Sequence, residues 1–138
     1  MLSIEQITPY LTWRVRRDVL YPGKYIHDME MDEDNDGYHF GAFKDNELVA
    51  VVSLFAKEHN WQFRKLAVID KVQNQGVGTE LLKYITGFVE QENGKRLWCN
   101  ARLSAVGFYN KLDFSTAGEV FHKNDIDFIV MQKELISK

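Results

Sequence analysis

The pattern of apolar and polar residues predicts a series of strands broken by three helices. LSIEQI, near the start of the chain, reads as a short first strand, and YHFGAFK at residues 38–44 as a second. The turn pair Asp45-Asn46 joins YHFGAFK to ELVAVVSLFAKE, and these two strands are predicted to form a hairpin. The second strand of this hairpin is apolar without alternation, which is typical of a strand covered on both faces.

Helix signals occur at three places. Thr8-Pro9 resembles an N-cap followed by proline at the first helical position, and that helix should end near Tyr21-Pro22-Gly23. A second helix is predicted before the stop signal Asn93-Gly94. Its apolar residues recur at helical spacing: Val77, Leu81, Leu82, Ile85, Phe88 and Val89. Ser104 to Leu112 predicts a short third helix.

Four further segments, WQFRKLAV, RLWCNA, STAGEVF and DFIVMQKEL, predict strands. Strands and helices therefore alternate along the chain, which predicts an α/β (α+β) domain with a mixed sheet. A length of 138 residues fits one domain spanning residues 1–138.

Composition narrows the function classes. With 45% hydrophobic and 27% charged residues the chain is globular in type, and a net charge of −3 gives no support to nucleic-acid binding. Cys99 is the only cysteine, lies in a predicted buried strand and is expected to be a core thiol. The start lacks the pattern of a signal peptide, and Leu48–Ala56 is far shorter than the ~20 residues of a membrane span. We expect a cytoplasmic protein with no membrane partner.

Residues 28–36, DMEMDEDND, carry six acids in nine positions. Asp32 to Gly37 copy the first half of a calcium loop, but the twelfth position, where a bidentate glutamate belongs, is Phe43. We therefore expect a solvated acidic loop, which would favour a cationic substrate nearby. The four histidines show no metal-ligand spacing, so no metal is expected, and no G-x-S-x-G elbow is present.

The stretch QNQGVG, Gln73 to Gly78, lies between a predicted strand and a predicted helix. A helix N-terminus presents unpaired N–H groups and a partial positive charge, and glycines let the backbone approach an anion closely. The nucleotide fingerprints G-x-x-x-x-G-K-[ST] and G-x-G-x-x-G are both absent. From these residues alone, a tight turn and a phosphate site both remain open.

The wider context resembles a known family. KLAVIDKVQNQGVGTELLKYI resembles the acetyl-CoA-binding segment of the GNAT acetyltransferase superfamily, in which Arg or Gln, Gly, and Gly or Ala follow a strand at fixed spacing. Gln73, Gly76 and Gly78 occupy those places. Leu97 to Phe114 resembles the second motif of the family, with an asparagine after a strand and a Phe-Tyr pair on the next helix. The resemblance is strong over residues 61–114 and weaker elsewhere.

This resemblance implies the GNAT fold, a mixed and mostly antiparallel central sheet flanked by helices, and acetyl-CoA as cosubstrate. In the family the sheet splays between the strand ending LAV and the strand ending CNA, and the pantetheine arm lies in that gap. Backbone hydrogen bonds to the arm, N–H groups on the pyrophosphate and pocket-lining side chains would come from these residues: Leu66, Ala67, Val68, Gln73, Asn74, Gln75, Gly76, Val77, Gly78, Thr79, Asn100, Ser104 and Phe108.

Tyr109 matches the usual general acid of the family. Acetyl transfer from a thioester releases a thiolate, which a phenol can protonate, and a backbone donor near Val68 could stabilise the oxyanion. A core aromatic is the alternative role for Tyr109. The general base is not identifiable. Two positions depart from the family pattern: Asp113 replaces a common glycine, and Gln73 stands where arginine is common. Aspartate tolerates a left-handed turn, whereas the glutamine removes a charge contact to phosphate.

The resemblance thus implies an N-acetyltransferase acting on a primary amine. The absence of an appended recognition domain favours a small-molecule acceptor, and the acidic loop favours a cationic one, such as a polyamine-like or aminoglycoside-like amine. A non-catalytic acyl-CoA-binding sensor or interaction module is the alternative. Dimers are frequent in the family, so a homodimer is compatible with the resemblance. The sequence identifies neither the acceptor nor the acyl chain length.

Overall fold

The computed structural model describes residues 2–135. The strands are β1 (Leu2–Ile7), β2 (Tyr38–Lys44), β3 (Glu47–Lys57), β4 (Asn60–Val68), β5 (Arg96–Arg102), β6 (Ser115–Lys123) and β7 (Ile126–Glu134). The helices are α1 (Pro9–Val15), α2 (Val77–Gln91) and α3 (Val106–Asn110). The sheet has the order β1-β2-β3-β4-β5-β7-β6, with β4 and β5 parallel. A mixed, mostly antiparallel sheet flanked by helices confirms the predicted fold class.

The chain divides into two compact units. The first contains the residues up to Phe55 together with Phe63–Ile85, and the second contains Ala56–Gln62 together with the residues from Thr86 onward. The expectation of a single domain stays a prediction.

The first unit is built on the β2–β3 hairpin. Asp45 and Asn46 have φ values of 52° and 66°, which the two-residue turn between right-twisted strands requires. The predicted lack of alternation in β3 is confirmed, because the side chains of residues 49–54 are all buried. Val15 of α1 packs with Val51 and Ala67 in a buried cluster. Burying each such valine contributes about 1.5–3 kcal/mol.

The first helix region is more irregular than predicted. Thr8 is the N-cap residue and Pro9 follows it, as expected, but the Thr8 side chain makes no capping hydrogen bond. After α1 the chain continues as a π-helical turn, Arg16–Leu20, and Tyr21 ends it close to the predicted place. Such wide turns are rare and frequently occur near functional sites.

In the second unit, β7 pairs antiparallel with β5 on one side and with β6 on the other. β4 contributes its first residues here, where Asn60–Gln62 pair with Arg96–Trp98. The predicted third helix is shorter than expected, because a 3-10 turn at Leu103–Ala105 precedes α3. Asp113 has φ 69°, so the aspartate does adopt the left-handed turn that its family position requires.

Candidate active site

The end of β4 and the turn after it hold the first group of predicted site residues. Ala67 is buried, and Leu66 and Val68 are half-buried. A 3-10 turn, Asp70–Val72, separates β4 from the glycine-containing stretch. The Gln73 side-chain amide donates to the Val68 carbonyl at 2.9 Å and to Asp70 Oδ1 at 3.1 Å. Gln73 therefore stabilises this turn, a role that the sequence did not suggest.

The glycine loop, residues 73–79, leads directly into α2. Asn74 and Gly76 have φ values of 65° and 81°, and a Cβ placed on Gly76 would meet no atom within 4 Å. Gln75 and Gly76 are exposed, Gly78 and Thr79 are half-buried, and Val77 is buried and anchors the start of the helix. The first N–H groups of an α-helix lack intrahelical acceptors and carry partial positive charge, so this open backbone can hold an anion.

Two lysines lie beside the glycine loop, and the sequence did not single them out. Lys44 Nζ, at the end of β2, donates to Gln75 Oε1 at 2.8 Å. Lys71 Nζ donates to Glu47 Oε1 at 2.5 Å and is largely exposed. Because Gln73 is neutral, these ammonium groups are candidates for the positive charge that a phosphate ligand favours. Lys44 lies outside the motif, at the end of β2, whereas Lys71 lies within the motif segment, two residues before Gln73.

The remaining predicted site residues lie in the second unit. Asn100 on β5 and Ser104 in the following turn are exposed, and Phe108 on α3 is half-buried. Tyr109 is buried, with its ring centroid 5.0 Å from that of Phe108 and 5.9 Å from that of Phe114. The structure thus brings the predicted residues together in two local groups, residues 66–79 and residues 100–109.

Burial dominates the chemistry around Tyr109. Desolvation raises the pKa of Tyr109 far above its usual range, and the nearby Cys99 adds to the effect. The same desolvation raises the pKa of the Cys99 thiol to about 12. Both groups therefore stay protonated at neutral pH. Cys99 is a buried core thiol, as predicted, and Tyr109 is a hydrogen-bond donor that keeps its proton.

The structure also shows a buried polar network in the first unit that the sequence did not predict. Its members are Arg16, Asp34, His39 and Ser53, each no more than 3% exposed. The two terminal nitrogens of Arg16 donate to the Asp34 carboxylate, both at 3.0 Å. They also donate to the Met29 carbonyl and to Ser53 Oγ, both at 2.9 Å. A bidentate pair of this kind is the strongest type of charge-assisted hydrogen bond.

The hydrogen-bond partners of His39 show which of its ring nitrogens carries a hydrogen. His39 Nε2 lies 2.7 Å from the Asp34 carbonyl, so Nε2 carries the hydrogen and donates it. Nδ1 is 2.7 Å from Ser53 Oγ and accepts, because that hydroxyl already accepts from Arg16 and still has a hydrogen to donate. Burial lowers the pKa of His39, and the contacts with Asp34 only partly oppose this. The neutral imidazole thus completes the network.

The acidic loop is not solvated throughout, contrary to expectation, because Asp34 is buried. Burial works against its ionisation, but hydrogen bonds from Arg16 and from the Met31 N–H outweigh burial, so the pKa of Asp34 lies below its usual value. Glu33 also forms a salt bridge, in which Arg64 Nη1 lies 2.6 Å from Glu33 Oε1. The loop contains two 3-10 turns, Ile26–Met29 and Asp34–Asp36. Part of its negative charge is therefore neutralised inside the unit.

Within residues 2–135, no group of three or more His, Cys, Asp or Glu side chains is placed to hold a metal ion. None of the helices in this range is long and apolar enough to cross a membrane.

Comparison with known proteins shows the family of the chain. Residues 18–135 match the family described as Acetyltransferase (GNAT) domain. The chain is 28% identical to the uncharacterized N-acetyltransferase YitI of Bacillus subtilis strain 168, over 98% of this chain and 97% of that protein.

Two solved structures are similar in fold. Escherichia coli ElaA has a TM-score of 0.83 at 17% identity, covering 97% of this chain and 100% of that one. A GNAT family acetyltransferase from Elizabethkingia anophelis, with acetyl-CoA bound, has a TM-score of 0.75 at 22% identity, covering 97% and 98%.

Proposed function

Because the chain belongs to the GNAT acetyltransferase family and is an acyltransferase, we propose that it transfers the acetyl group of acetyl-CoA to the primary amine of a small molecule. The observation that carries the proposal is the glycine loop. Gly76 has a left-handed backbone, nothing lies within 4 Å of a Cβ placed there, and α2 begins at the next residue. This arrangement suits a pyrophosphate that approaches the backbone closely.

The proposal assigns both local groups of residues to the binding of coenzyme A. In the proposal, the N–H groups of Gln75 to Thr79 hold the pyrophosphate, and the backbone of Leu66 to Val68 hydrogen-bonds the pantetheine arm. Asn100, Ser104 and Phe108 line the cofactor site. The E. anophelis relative binds acetyl-CoA, which supports the choice of cosubstrate. Acetyl-CoA would supply the acetyl group as a thioester, from which the amine nitrogen displaces the sulfur.

We assign Tyr109 the role of general acid. Its hydroxyl would hydrogen-bond the sulfur as the C–S bond breaks and the C–N bond forms, and would pass its proton to the thiolate. The nitrogen would lose its own proton to solvent. A phenol with a strongly raised pKa is a poor acid toward a thiolate in water. In dry surroundings, however, a sulfur also becomes more basic, as the Cys99 thiol with its pKa of about 12 illustrates.

Tyr109→Phe tests the catalytic assignment. General acid catalysis contributes typically 10²–10⁴-fold, so the variant should lose about 100-fold or more in kcat. Acetyl-CoA affinity, measured by calorimetry, should stay within about threefold of the original value because the ring is kept. Tyr84→Phe is the control, since Tyr84 lies on α2 and is 45% exposed. An unchanged kcat in Tyr109→Phe would contradict the general-acid role and would mean that Tyr109 is a core aromatic.

Three further parts of the proposal concern the whole protein. We propose that residues 1–138 act as one acetyltransferase domain and that the protein works in the cytoplasm, where acetyl-CoA is available. A homodimer is compatible with the proposal, and light scattering of the purified protein would decide it.

A further inference from the structure

A cavity of about 320 Å³ lies in the first unit. Its walls come from Arg16 at the start of the π-helical turn, from residues between 21 and 31 that follow that turn, and from Lys65 of β4. Ligand pockets in proteins typically measure ~300–1,000 Å³, so this cavity has room for one small molecule. Neither the glycine loop nor the residues around Tyr109 line it.

The charges on the cavity wall are balanced. Lys24 and Lys65 supply two ammonium groups, and Asp28 and Glu30 supply two carboxylates. Arg16 also lines the cavity, but its charge is matched by the bidentate contact with Asp34. A wall with two charges of each sign is complementary to a ligand that itself carries both signs.

The local sequence fixes the position of Lys24. Tyr21, Pro22, Gly23 and Lys24 form a turn closed by a hydrogen bond from the Lys24 N–H to the Tyr21 carbonyl at 3.2 Å. A type II turn requires a positive φ at the third position, which Gly23 supplies with φ 91°, and proline is common at the second position. The turn brings the chain back sharply, so that Tyr21 and Lys24 line the same cavity.

Lys65 has an unusual backbone for a strand residue. Its φ is 58°, the left-handed region that lysine rarely adopts, in the interior of β4. Its ammonium group donates to the Tyr21 hydroxyl and lies 4.7 Å from the centroid of the Tyr21 ring. Strain of this kind persists where the surrounding structure imposes it, and it concentrates at ligand sites. Lys65 also directly precedes Leu66, the first residue assigned to the pantetheine arm.

Apolar side chains complete the cavity. Met29 is buried and Met31 is half-buried, and both line it. Methionine is flexible and adapts to ligands of different shape. An amine with a short apolar side chain would therefore fit between the two pairs of charges.

We propose that this cavity binds the acetyl acceptor, and that the acceptor is a small amine that also carries a carboxylate, such as an amino acid with an apolar side chain. The acceptor carboxylate pairs with Lys24 and Lys65, and its ammonium group lies among Asp28 and Glu30. This inference rests on the proposed function. It replaces the polyamine-like acceptor that the acidic loop suggested, because the two lysines on the wall repel a ligand that is cationic throughout.

The test uses four amines: leucine, leucinamide, 3-methylbutylamine and putrescine. Leucinamide keeps the shape of leucine without the carboxylate charge, 3-methylbutylamine lacks the group altogether, and putrescine has a second cation. Binding to the CoA-loaded protein is measured by calorimetry, and kcat/KM by thiol release from acetyl-CoA. Leucine should bind at least about tenfold more tightly than each of the other three, the scale of one charge-assisted contact.

Variants connect the preference to the lysines. Lys24→Gln and Lys65→Gln should each weaken leucine binding about tenfold and leave leucinamide binding unchanged within about twofold. Lys57→Gln is the matched control, because Lys57 ends β3, is exposed and does not line the cavity. A loss that affects leucine and leucinamide equally would mean that the lysines only maintain the shape of the cavity, which would overturn the inference.

The remaining outcomes separate this inference from the proposed function. Equal binding of leucine and leucinamide, a preference for putrescine, or no binding of any of the four would overturn the inference. If acetyl-CoA still raises the melting temperature in that case, the proposed function stands without it. If acetyl-CoA causes no rise in melting temperature, the proposed function fails as well.

Discussion

The buried network and the glycine loop are both polar regions of the first unit, yet they use polar groups in opposite ways. In the buried network, side chains of Arg16, Asp34, His39 and Ser53 hydrogen-bond one another away from water, although Arg16 Nε makes no hydrogen bond. In the glycine loop, Gln75 and Gly76 are exposed, and a Cβ placed on Gly76 would meet no atom within 4 Å.

This difference separates a region that maintains structure from a region that can receive a ligand. Buried polar groups that hydrogen-bond one another hold a defined geometry, and losing one partner is costly. Open backbone donors cost little while water solvates them, and they are available for an anion. Substitutions in the buried network should therefore change mainly stability, and substitutions in the glycine loop should change mainly cofactor affinity.

The largest expected effect is that of Arg16→Met. The variant leaves the Asp34 carboxylate buried without its partner, and breaking a buried ion pair costs about 3–5 kcal/mol. Denaturant unfolding at pH 7.5 should show this loss. The double variant Arg16→Met with Asp34→Leu should recover most of it, because no buried charge remains. A loss of under about 1 kcal/mol in the single variant would contradict the structural role of the ion pair.

The second prediction contrasts two glycines with nearly the same backbone. Gly76 and Gly118 have φ values of 81° and 80°, and an added Cβ meets nothing within 4 Å at either. Alanine at each position should cost about 1–2 kcal/mol of stability, the left-handed penalty. Only Gly76→Ala should weaken acetyl-CoA binding, by about tenfold or more, because its Cβ occupies the space next to the phosphate. Equal affinities in the two variants would remove the phosphate role of the glycine loop.

The third prediction concerns acid. Burial lowers the pKa of His39 in the folded chain, whereas a histidine in the unfolded chain has a pKa of about 6.5. Just below a pH of about 6.5 the unfolded chain therefore binds more protons than the folded chain. The free energy of unfolding should therefore fall as the pH drops below about 6.5, with a slope from this group of at most about 1.4 kcal/mol per pH unit. Urea unfolding across pH 5 to 8 measures it.

His39→Gln should remove that part of the slope, whereas His122→Gln should not, since His122 is 62% exposed on β6. Asp34 adds a further loss in stronger acid, because its stabilising contribution is complete above the pKa of the unfolded carboxyl and is lost as the pH falls toward the lowered pKa of the folded state. Identical pH slopes in the wild type and in His39→Gln would contradict a neutral, buried His39.

The smallest expected effect is a gain. Gln73→Arg restores the charge that is common at this position in the family and should tighten CoA binding about three- to tenfold at low salt, with the gain fading as salt rises. Gln73→Met is the control, because it removes the hydrogen bonds to Val68 and Asp70 without adding charge. An arginine variant that binds no better than the methionine variant would show that Lys44 and Lys71 already supply the charge.

The sequence predicted the glycine loop and the order of elements because their signals are local. The turn at Asp45-Asn46 and the left-handed Asp113 each depend on a few neighbouring residues. The helical spacing from Val77 onward likewise located α2.

The buried network could not be predicted in this way. Arg16, Asp34, His39 and Ser53 come from four segments, and tertiary packing alone brings them together. One signal was present, since Ser53 is polar within the apolar run of β3, and a polar residue in a strand covered on both faces needs a partner. The identity of that partner is not a local property of the chain. The same holds for the cavity, where Lys24 and Lys65 are far apart in sequence.

The most direct test of the central claim, that the glycine loop serves coenzyme A, is thermal melting with acetyl-CoA, CoA and ATP in parallel. At a hundred times its dissociation constant, a ligand adds about 2.7 kcal/mol of stability. We expect the melting temperature to rise with acetyl-CoA and with CoA, and to stay unchanged with ATP at the same concentration. No rise with saturating acetyl-CoA, or an equal rise with ATP, would contradict the claim.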